Sequence, residues 1–145
     1  MNIRKAEAAD IAAAAWMAGQ LWPDTPAEEH AETLREVIDS PDGAVFFAEK
    51  NGNPVGFAQC QLRYDYVEGT ESSPVGYLEG IWVSEACRGQ GAARALLCAC
   101  EDWASCCGCT EFASDCELDN VQSLHFHLHT GFEEANRIIC FTKKL

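Results

Sequence analysis

The chain has 145 residues, 48% hydrophobic and 23% charged, with 23 acidic side chains against 10 Lys and Arg for a formal net charge of −13. This composition excludes a disordered chain and leaves little room for two cores, so a single domain spanning residues 1–145 is expected. The negative charge argues against nucleic acid as a partner, and leaves either plain solubility or the steering of a cationic small molecule.

In chain order, "NIRKA" alternates as a short first strand. Asp10 then precedes "IAAAAWMAGQLW", where Ile11, Ala14, Ala15, Ala18, Leu21 and Trp22 recur at helical spacing, and Pro23 ends that helix. In "TPAE", Thr25 reads as an N-cap, Pro26 as the first helical position and Glu28 as the partner in a capping box. The helix that follows turns Leu34, Val37 and Ile38 inward and ends before "SPDG". "AVFFAEK", a turn at "NGNP" and "VGFAQCQLRYDY" make a hairpin, with Asn-Gly as its strongest local signal. After the polar loop "VEGTESSP" comes the strand "VGYLEGIWV". A third helix is striped by Ala93, Leu96, Leu97, Cys100, Trp103 and Ala104, and "CTEFASD" is a strand after it. Asn120 caps a fourth helix through "VQSLHFHLH", Gly131 stands where a left-handed helix end belongs, and "FEEANRIICFTKKL" offers one or two closing strands.

No run approaches the roughly 18 consecutive apolar residues of a membrane span. The start lacks a signal-peptide core and cleavage site, so a cytoplasmic protein with no membrane contact is expected. Nine cysteines, an odd number without an export signal, point to reduced thiols. The spacing in "CCGCTEFASDC" is poor for zinc and favours small buried or half-buried thiols. Alternate helical residues diverge, so His125, His127 and His129 cannot meet at one ion, and no metal site is expected.

Two stretches carry chemistry. In "GYLEGIWV" the carboxylate of Glu79 stands amid Tyr77, Leu78, Ile81, Trp82 and Val83, a setting that asks for either an ion-pair partner or a chemical task. In "RGQGAARALL" an arginine and small residues separate a strand from a helix. Free N–H groups at the helix start, its positive dipole end and the close approach allowed by Gly89, Gly91 and Ala92 form an anion cradle suited to phosphate. The stretch fits neither the P-loop nor the dinucleotide fingerprint.

The run Arg88, Gly91, Ala93 resembles the Q/R-x-x-G-x-G/A signature of the GCN5-related N-acetyltransferases, and the element order and "NVQSLHFHLHTGF" are similar to that family over nearly the whole chain. "GYLEGIWV", "EFASD" and "GFEE" together look like the aminoglycoside 6′-N-acetyltransferases within it. The resemblance implies an α/β fold with a central mixed, mostly antiparallel sheet, about four flanking helices and a splayed strand pair. It implies acetyl-CoA as co-substrate, with its pyrophosphate held by Arg88, Gly89, Gln90, Gly91, Ala92, Ala93 and Arg94. The pantetheine arm would pair along Ile81, Trp82 and Val83 and meet Asn120, beside a bulge near Gly80.

It further implies transfer of acetyl by direct attack to the 6′-amine of an aminoglycoside, a resistance activity. Glu79 would then serve as proton acceptor or amine ligand, a desolvated carboxylate being the better base. An N–H near Ile81 would stabilise the oxyanion. Asp115 would hold a substrate ammonium, Trp22 and Tyr66 would wall the sugar rings, and Asn136 stands where relatives can carry an acid. His127 occupies the place of the family's usual tyrosine acid, and either donates to the departing sulfur or merely packs. Dimerisation through the C-terminal strands is implied, with "IICF" permitting it. Another primary amine, a polyamine or a protein N-terminus, and a non-catalytic acyl-CoA sensor remain open as alternatives.

Overall fold

In a computed structural model covering residues 1–145, period-two alternation divides the core between the two faces of a five-stranded sheet. The strands are β1 (Asn2–Lys5), β2 (Gly43–Lys50), β3 (Asn53–Arg63), β4 (Val75–Val83) and β5 (Phe112–Ser114), in that spatial order. β1 to β4 run antiparallel, and β5 joins β4 in parallel after a helical crossover. The helices are α1 (Ile11–Leu21), α2 (Ala27–Asp39), α3 (Ala92–Cys106) and α4 (Val121–His129). Val45, Phe47 and Phe57 face Ala14, Ala18, Leu34 and Val37 of α1 and α2. Ala44, Ala48, Ala58, Cys60 and Leu78 face the other way, onto Leu96, Leu97 and Cys100 of α3. This is the mixed, mostly antiparallel sheet with four helices that the sequence led us to expect.

The β2–β3 hairpin closes on Asn51 and Gly52, whose φ values of 53° and 77° give the two left-handed residues that a tight two-residue turn needs. At α2 the expected capping box does not form. Pro26 has extended ψ (145°) and is itself the cap residue, its carbonyl accepting from Glu29 and His30 at 3.1 and 3.2 Å, which leaves Thr25 outside the helix. Three of the four thiols of "CCGCTEFASDC", the stretch from the end of α3 onward, also differ from expectation. Cys106, Cys107 and Cys116 are exposed and Cys109 half-buried, because α3 ends there and the chain turns along the surface; all nine cysteines are free.

The closing strands are absent as well. Residues 133–145 carry no regular structure, and Ile138, Ile139 and Phe141 are 71%, 80% and 90% exposed. An apolar extended segment becomes a strand only against a ladder that takes up its N–H and C=O groups, and this segment has none within the chain.

Two irregularities of β4 shape the site. On its β3 side, Gln59 pairs with Gly80 and Cys60 with Leu78, so Glu79 is the extra residue of a bulge. The bulge lies one residue before the expected Gly80. On the other side β5 pairs only with Gly76, Tyr77 and Leu78, and from Glu79 onward that edge of β4 is left without a strand neighbour. The sheet opens into a wedge at that point.

Candidate active site

The bulge delivers Glu79 to the mouth of the wedge, where its side chain is 20% exposed and not solitary. Arg63, the last residue of β3, forks onto both carboxylate oxygens, with Nε 3.0 Å from Oε1 and Nη2 2.8 Å from Oε2. Its guanidinium also lies over the Tyr77 ring, 3.4 Å from the centroid. Burial alone would lower the Arg63 pKa, but the hydrogen bond and charge of Glu79, with Tyr77 and Asp115 behind them, raise it. The Tyr77 hydroxyl in turn donates to Asp115. Burial first, and then that carboxylate, hold the phenol above its usual pKa, so it remains a donor. Glu79 and Asp115 are thus linked through one cation and one phenol. The sequence reading named both acids and missed both linkers, although Tyr77 stands two residues from Glu79 on a strand.

Gly80 explains the place of Trp22. A Cβ there would sit 2.5 Å from Cη2 of the Trp22 ring and 3.1 Å from Cδ1 of Leu21, so only glycine lets the indole lie against the strand beside Glu79. Trp22 is 38% exposed, and its carbonyl is bonded to the buried His30 ring at 3.0 Å. It therefore presents one surface to β4 and another to the mouth. Tyr66 is not at a strand end, since β3 stops at Arg63; it is 77% exposed in the following loop. Asn136 donates to Glu68 of that loop at 3.1 Å, tying the tail to it.

Beside the wedge, the loop before α3 has the expected conformation. Gly89 and Gly91 have φ of 72° and 84°, and a Cβ at either would meet nothing within 4 Å, so the glycines serve the backbone and leave the surface open. The N–H groups of Ala92, Ala93 and Arg94 lie in the first turn of α3 and have no carbonyl behind them in the helix. Arg88 Nε donates to the Val83 carbonyl at 3.1 Å, which ties the loop to the end of β4. Arg94 donates to the His129 carbonyl at 2.9 Å, and Gln90 receives the Lys50 ammonium at 3.2 Å. An open cradle of main-chain donors next to an unpaired strand edge fits a diphosphate carrying an extended arm. A separate hollow of about 450 Å³ lies on the acidic outer face of α2 and contains none of these residues.

The fourth helix closes the far side. Asn120 caps it, its Oδ1 accepting from the Ser123 N–H at 3.1 Å, and its amide NH2 is left to donate to other partners. Gly131 turns the chain with φ of 99°. The carbonyl of Ser123, 2.7 Å from His127 Nδ1, can only accept, so Nδ1 carries a proton. In the neutral ring Nε2 then accepts from the Ser114 hydroxyl at 2.8 Å. Ser114 Oγ also lies 3.3 Å from the Leu78 carbonyl, the last paired residue of β4 before the wedge. His127 therefore reaches the wedge through Ser114, which "EFASD" displayed without marking. His125 and His129 lie side by side, their ring centroids 6.1 Å apart.

The model of the Acetyltransferase (GNAT) family matches residues 14–132. Over 145 residues the chain is 46% identical to aminoglycoside N(6′)-acetyltransferase type 1 of Stenotrophomonas maltophilia, a match covering 99% of this chain and 94% of that one. It is 42% identical over 134 residues to the protein of that name from Serratia marcescens, covering 90% and 92% of the two chains. Among solved structures, AAC(6′)-Iy in complex with the bisubstrate analogue CoA-S-monomethyl-acetylneamine aligns with a TM-score of 0.95 at 36% identity, covering 99% of this chain and 98% of that one. The apo AAC(6′)-IG of Acinetobacter haemolyticus aligns at 0.94 and 35% identity, covering 100% and 99%.

Proposed function

Because this chain belongs to the GNAT acetyltransferase family, we propose that it transfers acetyl from acetyl-CoA to the 6′-amine of aminoglycosides, and so confers resistance to them. The observation that carries the reading is the acidic and aromatic mouth at the split in the sheet: Glu79 on its bulge, Trp22 against Gly80, and Asp115 behind Tyr77. A polyamine or peptide acceptor has no sugar ring to stack, so an exposed indole against the strand that carries Glu79 favours an aminosugar. The net charge of −13 supports steering of a polycation toward that mouth.

The residues divide the work. The main chain from Gly89 to Arg94 would hold the diphosphate, and Arg88 fixes the loop to β4. The free edge of Ile81–Val83 would take the pantetheine arm as an added strand, with the Asn120 amide NH2 as a further contact. Acetyl-CoA, when bound, supplies the acetyl group as a thioester open to attack by an amine. An ammonium has no lone pair, so the acceptor nitrogen must first surrender a proton, and Glu79 takes it directly or through one water. Asp115 and Trp22 hold the rest of the substrate, with Tyr66 and Asn136 as outer contacts. With Nδ1 committed to Ser123, a proton could leave only from Nε2 of a doubly protonated His127 ring, passing to Ser114 Oγ as the Ser114 hydroxyl proton goes to the departing thiolate. The sulfur leaving group is served from there.

The same reading places the enzyme in the cytoplasm, where acetyl-CoA is made and where nine free thiols stay reduced. It also makes the protein a homodimer joined through the C-terminal segment, whose exposed Ile138, Ile139 and Phe141 offer an apolar face for a second copy to cover.

Mass spectrometry of neamine and of its 6′-hydroxyl counterpart, each incubated with the protein and acetyl-CoA, tests the reaction. Addition of one acetyl group to neamine alone is expected. Acetylation of the 6′-hydroxyl compound with none on neamine would refute the position, and no uptake of coenzyme A in calorimetry would refute the reading altogether.

A further inference from the structure

Arg63 belongs to no motif, yet it holds the position an acceptor amine would need. Its guanidinium is bidentate on Glu79 at 2.8 and 3.0 Å, and it covers the Tyr77 face at 3.4 Å, the two features by which a protein recognises a cation. It is also the group that separates Glu79 from the Tyr77–Asp115 pair. Remove it, and two carboxylates face one another across a phenol with no positive charge between them.

Three features make this contact reversible. Arg63 is the last residue of β3, so beyond it the backbone is loop rather than ladder. Its side chain is 42% exposed against 20% for Glu79, so the arginine lies on the solvent side of the pair. No hydrogen bond ties the guanidinium to anything but Glu79; its other contact is the face of a ring, over which a cation can slide.

The geometry points to Arg63 as an internal stand-in for the substrate's ammonium. In the empty enzyme it neutralises Glu79; when a polycationic acceptor arrives, the incoming amine takes the carboxylate and the guanidinium swings out to solvent. Arg63 then determines which acceptors bind, because a ligand must offer more at Glu79 than the guanidinium already supplies. A weakly basic or singly charged amine fails that exchange, whereas an aminosugar with several ammonium groups succeeds. This inference rests on the reading of Glu79 as the residue that meets the acceptor amine.

The test is calorimetric binding of neamine to wild type, Arg63→Gln, Arg63→Lys, Glu79→Gln and the Arg63→Gln/Glu79→Gln double variant, each first checked by thermal melting. Arg63→Gln should bind neamine about tenfold more tightly than wild type, as expected when a competing cation is removed from a hydrogen-bonded carboxylate. Arg63→Lys, which keeps the charge but loses the fork and the flat stacking surface, should fall between the two. In the Glu79→Gln background Arg63→Gln should give no gain, because no carboxylate is left to release. Unchanged or weaker binding by Arg63→Gln overturns the proposal, as does a fall in kcat that Arg63→Lys restores, since that pattern belongs to a residue that positions Glu79. If Arg63→Gln does not fold, the lysine variant decides, and failure to gain affinity there overturns the proposal. Failure of the functional reading looks different: wild type would then leave neamine unacetylated, whatever Arg63 does.

Discussion

Two glycines on the same strand separate a substrate wall from a packed core. In Gly80→Ala the new methyl would fall 2.5 and 3.0 Å from the Trp22 ring and 3.1 Å from Leu21 Cδ1. The ring stands at the end of α1 and is 38% exposed, so it can yield outward. In Gly76→Ala the methyl would fall 2.5 Å from Phe112 Cδ2 and 2.6 Å from Ala104 Cβ, and Ala104, 2% exposed, has nowhere to go. Overpacking costs about 1–3 kcal/mol, and replacing a strand glycine returns about 0.5–1 kcal/mol. The net expectation is about 1 kcal/mol for Gly80→Ala and about 2 kcal/mol for Gly76→Ala. At roughly 3 °C per kcal/mol for a domain of this size, melting should drop by about 3 °C in the first case and about 6 °C in the second. The functional effect should run the other way. A displaced indole should raise the KM for neamine about tenfold in Gly80→Ala, while Gly76→Ala, measured well below its melting point, should change it less than threefold. Scanning calorimetry and steady-state kinetics on the two variants suffice. If Gly80→Ala melts as low as Gly76→Ala and keeps the wild-type KM, Trp22 is core and the reasoning about the mouth is wrong.

Glu79→Gln should lower kcat/KM by about a hundredfold or more while leaving coenzyme A affinity within twofold, because in the proposed reaction the carboxylate meets the amine and not the cradle; equal loss of both would make Glu79 a structural residue. Asp10 accepts two bonds from Arg4 at 2.8 and 2.9 Å, and that guanidinium, with help from the Glu7 N–H and against the effect of burial, holds its carboxyl below the usual range. A depressed folded pKa contributes stability above the unfolded value near about 3.9 and loses it as pH falls through the folded one. The melting gap between wild type and Asp10→Asn should therefore be steady above about pH 5 and close below about pH 4; a gap that widens in acid would reverse the sign. For the proposed dimer, light scattering should give the mass of two copies for wild type and of one for Ile139→Asp; a wild-type mass of one copy, or a variant mass unchanged at two, would refute a tail-mediated dimer.

Much of this protein was legible because its signals are local. The stripe from Leu96 to Ala104, the Asn51–Gly52 turn and the glycine loop before α3 each depend on neighbours a few residues away, and each reappears in the structure. The site was half legible for the same reason. Glu79 and Asp115 stood out as acids at strand positions, but Arg63 is set against Glu79 by a bulge and a strand end, and nothing near Arg63 in the sequence announces either. Ser114 matters only because α4 brings His127 over it. At the C-terminus the pattern of "RIICF" speaks for a strand, yet pairing needs an edge, and whether an edge exists is a property of the whole assembly.

The gap beside β4 makes architecture and reaction share one set of amides. Cargo docked along Ile81–Val83 would complete the protein's own scaffold while it stays, and its departure would unstitch that seam. Each turnover would then be a small act of assembly and disassembly, with bonds made at the least finished part of the molecule.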